Sequence, residues 1–224
     1  LILCIETSGP VCSIALLKHS TVLVEEKIEE ANAHSKWLMP MIAKLFATHN
    51  YKQSDLHAVA LSAGPGSYTG LRIGSAAAKG ICMSLNIPLI TVSTLEIIAY
   101  TMHLSHPGYD YYVPMLDARR MEVYTAVFNH NLQRISEDIP HIIDDQTPQL
   151  WKNGNAIIGG DGALKTATFL QKYSKVDHVP DVFPLASKMT HFATEKLEKQ
   201  HFTPIHEFEP SYLKPFFTTA QISS

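Results

Sequence analysis

Residues 62–74 read Ser-Ala-Gly-Pro-Gly-Ser-Tyr-Thr-Gly-Leu-Arg-Ile-Gly, with glycines at 64, 66, 70 and 74 and one cation, Arg72. The apolar run 58–63 ahead of the loop reads as a buried strand, and 70–85 after it as a helix. A glycine loop before a helix offers free N–H groups and the positive end of the helix dipole to a phosphate. The spacing matches neither common nucleotide loop. Five residues separate Gly64 from Gly70 and Leu71 follows, where a Walker loop has four and then Lys-Ser or Lys-Thr; Thr69 occupies the place of the last glycine of G-x-G-x-x-G. The structural alternative is that Pro65-Gly66 centres a type II turn, Thr69 caps the helix, and Gly70 and Gly74 let another helix approach closely.

Three other groups carry chemistry. Glu6-Thr7-Ser8 ends the first strand in an acid followed by two hydroxyls, which suits either a phosphate turn or an ordinary hairpin. Asp117-Ala118-Arg119-Arg120 sets an acid that could orient a metal-bound nucleotide beside two arginines suited to phosphate; the alternative is a solvated or internally paired turn. Arg72, in the first turn of its expected helix, opposes the dipole and calls for an anionic neighbour: Glu6, or a carboxylate or phosphate brought by a partner or a nucleotide. The twelve histidines contain no H-x-x-x-H pair, so no metal site is assigned. His103 and His106, the nearest pair, read as surface loop residues. No Ser/His/Asp or Cys/His grouping is fixed by the sequence.

The elements that must position these residues fall into two series. The runs 1–6, 11–17 and 21–28 read as an antiparallel meander. The segment 35–49 follows, an amphipathic helix that is either kinked at Pro40 or begins near Met39. Then come the strand 58–63, the helix from Gly70, the strand 88–92 and a helix starting at Ser93 or Thr94. Strands at 110–117, 121–128 and 132–139 open the second series, followed by a strand at 156–162 and a helix over 184–200. His106-Pro107-Gly108 marks the boundary between residues 1–105 and 106–224, with an extended tail at 209–217 that packs back on the first domain.

Composition sets the outer bounds. The chain has 224 residues, 46% hydrophobic and 17% charged, with net charge −3, enough for one large core or two small ones and without a global basic field for nucleic acid. Cys4, Cys12 and Cys82 make no disulfide framework and fit a reducing cytoplasm. No apolar stretch nears the roughly 20 residues of a membrane span. A soluble cytoplasmic protein without an export signal is expected.

The repeated order resembles the paired ribonuclease-H-like domains of actin, sugar kinases and the Hsp70 ATPase, an α/β fold in which each domain has a mixed sheet flanked by helices. The blocks at 62–74, 92–96 with Ala99, and 117–124 resemble, in order, the signature blocks of the TsaB proteins, and 6–8, 34–42, 159–162 and 209–215 agree. These are glycoprotease-like accessory proteins of tRNA threonylcarbamoyladenosine formation. The resemblance implies a non-catalytic partner of the TsaD transferase, which works with a metal held by an H-x-x-x-H pair that 93–102 lacks here. It implies binding through N-terminal helices, a pathway ATPase as third component, and tRNA reached through the complex. The candidate interface is Trp37, Leu38, Met41, Ile42, Leu45, Gly70, Gly74, Ala77, Ala78 and Ile81, for TsaD or, in its absence, a second copy as homodimer; the alternative is that both helices are core. Glu6, Thr7, Ser8, Arg72, Asp117, Arg119 and Arg120 are the candidate nucleotide or anion contacts. No cofactor is expected on this chain alone, with ATP or ADP and magnesium at the partner interface. An ATP-hydrolysing enzyme or kinase is the alternative function, and a metallopeptidase a remote third.

Overall fold

A computed structural model describes residues 1–30, 33–151, 154–170 and 176–214. The first sheet holds β1 (Ile2–Glu6), β2 (Cys12–Lys18), β3 (Thr21–Ile28), β4 (Ala58–Ser62) and β5 (Leu89–Val92) in the order β3-β2-β1-β4-β5. The meander pairs antiparallel, and β1, β4 and β5 run parallel. β1 and β4 are buried along their whole length, as strands covered on both faces must be, whereas β3 is half-exposed at the edge.

The second sheet has the order β11-β10-β6-β7-β9, from β6 (Tyr111–Asp117), β7 (Glu122–Thr125), β9 (Ile139–Ile142), β10 (Ala156–Gly159) and β11 (Val176–Val179), with β8 (Phe128–Asn129) also pairing to β6. Setting β6 on β1 superposes the two orders: two antiparallel neighbours on one side and two parallel ones on the other. The fold is the two-unit ribonuclease-H-like arrangement of the actin and sugar-kinase superfamily.

Helices separate and cover the sheets. α1 (Ala33–Thr48) and α2 (Tyr68–Leu85) pack on the outer face of the first sheet, through Leu38, Met41, Ile42, Leu45, Ala78 and Cys82. α3 (Thr94–Ser105) lies between the sheets: Ile97 joins the first sheet and α5 (Thr190–Glu198), while Leu95, Ile98, Ala99 and Met102 join the second. α4 (Ala163–Leu170) and Trp151 close the far face of the second sheet. The start of α3 follows from its sequence, since Ser93 and Glu96 form a reciprocal capping box on the first turn.

Several expected elements are corrected. The segment 132–139 is not a strand; the third strand of the second unit is β9, which contains Pro140. At the edge of a sheet a missing N–H is tolerated, and a proline there hides the strand from pattern reading. The stretch 121–128 breaks into β7 and β8 around buried Ala126 and Val127. The helix over 184–200 is a 3₁₀ turn at Ala186–Met189 followed by α5. The tail has no regular structure over 209–214, and Pro215, Phe216 and Phe217 lie outside the described residues.

α1 continues through Pro40 on both sides. The proline is exposed, and a mid-helix proline costs roughly 3 kcal/mol. Six buried residues of this helix, from Ala33 to Phe46, include five large apolar side chains, each worth about 1.5–3 kcal/mol, so packing outweighs the proline. Pro40→Ala should therefore raise the unfolding free energy by about 1–3 kcal/mol in chemical denaturation.

Candidate functional site

The glycine loop closes on the turn between β1 and β2. A Cβ on Gly70 would stand 2.0 Å from the Thr7 carbonyl oxygen, one on Gly66 2.4 Å from that of Ser8, and one on Gly74 2.2 Å from Thr7 Oγ1. Glycine spacing of four puts Gly70 and Gly74 on the helix face that receives the turn, with Gly66 in the loop just ahead of the cap. The Ser67 N–H donates to the Ser8 carbonyl at 2.8 Å, and Ser67 Oγ accepts from the Gly70 N–H at 3.2 Å, so Ser67 rather than Thr69 caps α2. The close neighbour that these small residues admit is the chain's own turn rather than another helix.

Glu6, Thr7 and Ser8 are buried beneath this loop. Glu6 Oε1 accepts from the Ser8 N–H and the Ser8 hydroxyl, each at 2.5 Å. Oε2 has no partner in bonding geometry, although Ser62 and the Gly9 N–H are near enough to favour the charged form. Burial dominates and pushes the carboxyl up to about 7, against the opposing pull of Ser8. Thr7 Oγ1, under Gly74, is also without a partner.

Arg72 is the fifth residue of α2, beyond the first turn, and does not meet Glu6. Its Nε donates to the Tyr212 hydroxyl at 3.4 Å, and its guanidinium lies 4.3 Å over the Tyr68 ring. The tail that supplies Tyr212 crosses the loop: the Ser211 N–H donates to the Ala63 carbonyl at 2.7 Å, and the Tyr68 and Tyr212 rings lie 4.8 Å apart. Further along, Lys214 Nζ bonds Glu122 on the second sheet.

Asp117, Arg119 and Arg120 stand at the end of the second sheet as a group of their own. Lys165 Nζ donates to Asp117 Oδ1 at 2.6 Å, to the Arg120 carbonyl at 2.9 Å and to the Glu122 carbonyl. Desolvation raises the Asp117 carboxyl, but Lys165 and the Arg119 N–H outweigh it and leave it below its ordinary value. Arg119 and Arg120 both have positive φ, 69° and 52°, in the turn between β6 and β7. Their side chains are exposed. Pattern reading missed Lys165 and Lys214, whose partners lie 43 or more residues away in sequence.

Most of the expected interface residues belong to the core. Leu38, Met41, Ile42, Leu45, Gly70, Gly74 and Ala78 are buried, while Trp37, Ala77 and Ile81 are half-buried. An apolar groove of about 430 Å³ remains between α1 and α2, lined on its α1 side by Met39, Ile42 and Phe46 and on its α2 side by Ala76, Ala77, Gly80, Ile81, Ser84 and Leu85. Met39 is 53% exposed, and a Cβ at Gly80 would meet no atom within 4 Å. The signal for this surface in the sequence is the four-residue spacing of Arg72, Ala76 and Gly80, which continues past the buried glycines.

Two predictions separate these environments. Gly80→Ala should stabilise the protein by about 0.5–1 kcal/mol, since its Cβ meets nothing, whereas Gly70→Ala should cost about 1–3 kcal/mol by overpacking. Denaturant midpoints of the two variants would move in opposite directions. For Glu6, the folded value is raised above the unfolded one. Its contribution is thus fully present below about pH 4.5 and is lost as pH rises to about 7. Relative to Glu6→Gln, the wild type should lose on the order of 3 kcal/mol between pH 4.5 and pH 8, read from denaturation curves across that range.

A family model for TsaD, tRNA N6-adenosine threonylcarbamoyltransferase, matches residues 23–207. The tRNA threonylcarbamoyladenosine biosynthesis protein TsaB of Bacillus subtilis is 36% identical over 140 residues, which span 62% of this chain and 59% of that one. The TsaB of Escherichia coli is 28% identical over 221 residues, 95% of this chain and 94% of its own. A crystal structure described as an uncharacterized protein with similarity to peptidase YEAZ, from Pseudomonas aeruginosa, aligns with a TM-score of 0.82 at 21% identity, over 95% of this chain and 99% of that one, and shares the fold. The chain belongs to the TsaD-type family and, within it, to the TsaB proteins.

Proposed function

We propose that this chain is a non-catalytic subunit in the formation of threonylcarbamoyladenosine on tRNA, and that it works by docking a TsaD-type transferase in the groove between α1 and α2. Its relatives carry that pathway in their names. The observation that carries the docking reading is the open apolar groove beside Gly80 and the half-exposed Met39. Most large apolar side chains of these helices are consumed by the core, Met83 on α2 being exposed away from the groove; at the groove the apolar lining is left for another surface.

The two acids that an ATP-hydrolysing enzyme of this fold would use support the docking reading rather than hydrolysis. Glu6 is buried under the loop and accepts both Ser8 donors, and Asp117 is held by Lys165. The subunit thus offers a surface, and the partner supplies the transfer chemistry. In this reading the pathway ATPase joins the assembled pair, ATP or ADP with magnesium belongs to the joint face, and tRNA is met through the complex. Without the partner, a second copy covers the groove. Among the described residues no helix is long and apolar enough to cross a membrane.

Mass by light scattering, alone and with the TsaD of the same organism, tests this. Gly74 does not probe this surface, because enlarging it would disrupt the Thr7 contact. Gly80→Arg and Ala76→Arg should each weaken the complex at least about tenfold, roughly 1.4 kcal/mol, while Gly80→Ala leaves it intact. Failure to form any complex, with ATP hydrolysis by the isolated chain that Asp117→Asn removes, would replace this reading by the enzymatic one.

A further inference from the structure

The two helices that border the groove carry Lys36, Lys44, Arg72 and Lys79 and no aspartate or glutamate. Three of these cations have acceptors. Lys36 and Lys44 pair with Glu30 and Glu26 at 3.4 and 3.3 Å, and Lys79 Nζ donates to the Phe208 carbonyl at 2.6 Å. Among the described residues Arg72 bonds and stacks with tyrosines only, Tyr212 at its Nε and the Tyr68 ring beneath its plane. Exposed Glu209 attracts it weakly without forming an ion pair among the described residues. The guanidinium is therefore held in place but not neutralised.

Its position gives that charge a direction. Arg72 precedes Ala76 by four residues and Gly80 by eight, so it stands on the α2 face that borders the groove, at the end nearest the glycine loop. Arginine presents a planar fork that matches a carboxylate through two parallel N–H bonds, and an aromatic stack beneath it preserves that plane.

We infer that Arg72 is the polar anchor of this face, binding a carboxylate on the docking helix of a different subunit while Tyr68 and Tyr212 hold the guanidinium ready. The inference rests on the docking reading above and adds the chemistry of the partner: an apolar helix face with an acid at one end. A second copy docked through the same two helices would cover the groove, but those helices hold four cations and no acid, so neither of them would supply the carboxylate.

The test is calorimetric binding of the TsaD-type subunit to wild type, Arg72→Glu, Arg72→Lys and Tyr212→Phe at low and high salt. Arg72→Glu should weaken binding about 10- to 100-fold, and Arg72→Lys, which keeps the charge but loses the fork, about threefold to tenfold. Tyr212→Phe keeps the ring and should cost about twofold to fivefold, as a positioning change. The wild-type affinity should fall with salt more steeply than that of Arg72→Glu. Position 72 is exposed, so the thermal midpoint of Arg72→Glu should be little changed, which separates lost binding from lost fold. Lysine in place of the partner's acid should restore binding to Arg72→Glu. Equal binding by wild type and Arg72→Glu would overturn the carboxylate contact and leave the docking reading standing. No binding by wild type would remove both. A substitution that altered only the self-association of the isolated chain would assign the face to a second copy and overturn the inference.

Discussion

The contact on which the rest of the molecule depends is the closing of the Thr7–Ser8 turn against the glycine face of α2. Backbone meets backbone there, because side chains at 66 or 70 would occupy the space of the Ser8 and Thr7 carbonyls. That approach fixes the height of α2 above the sheet, and with it the width of the groove that α2 shares with α1. It also fixes where the loop leaves the turn. The Gly64 carbonyl accepts from the Thr94 N–H at 2.9 Å, the Ala63 carbonyl from the tail at Ser211, and the Ser8 carbonyl from Ser67. One close contact thus sets the start of α2, the start of α3 and the course of the tail. A loop of this composition need not hold a phosphate; here its free space is filled by the turn it covers.

The second organising element is α3, the layer common to both sheets. Its capping glutamate, Glu96, reaches Arg134 of the second unit at 3.3 Å and Lys196 of α5 at 3.8 Å, while Ser93 Oγ donates to Asp138 at 2.8 Å. Arg134 bonds Asp138 as well and lies 4.9 Å over the Phe128 ring. The side chains of Glu96, Arg134 and Asp138 are only 17–25% exposed, so each charge needs its partners and the network specifies geometry more than it adds stability. Its acids and bases come from elements far apart in sequence, which explains why 132–139 reads as a strand and folds as a connection. Arg134 and Asp138 of that stretch bond Glu96 and Ser93 of α3, while Gln133 and Ser136 bond Asn129 and Val127 nearby, instead of extending a ladder.

What was legible in the sequence follows the range of the interactions involved. Strands β1 to β5 and helices α1 to α3 declare themselves through local periodicity and caps, signals that lie within a few residues of each other. Arg72 and Tyr212 are 140 residues apart, and Ser13 Oγ accepts from the Ala186 N–H across 173. No local pattern encodes such pairs. The glycines illustrate the limit most plainly. Gly70, Gly74 and Gly80 have the same residue type on one helix, yet the first two face the turn and the third faces open space. Composition states that something comes close to this helix, and only the fold says which face meets the chain itself and which is left over.

The same contact explains the separation of Glu6 from Arg72, which charge alone would have paired. Glu6 turns under the loop, where Ser8 supplies its donors and desolvation raises its carboxyl to about 7. Arg72 lies outside, on the helix that forms the lid of that pocket. A buried ion pair between them would have brought the cost of removing a guanidinium from water. Keeping the two apart avoids that cost and leaves the arginine solvated against two tyrosines. The consequence is an exposed arginine on a chain of net charge −3, and it gives this face a chemical preference that its apolar groove by itself would lack.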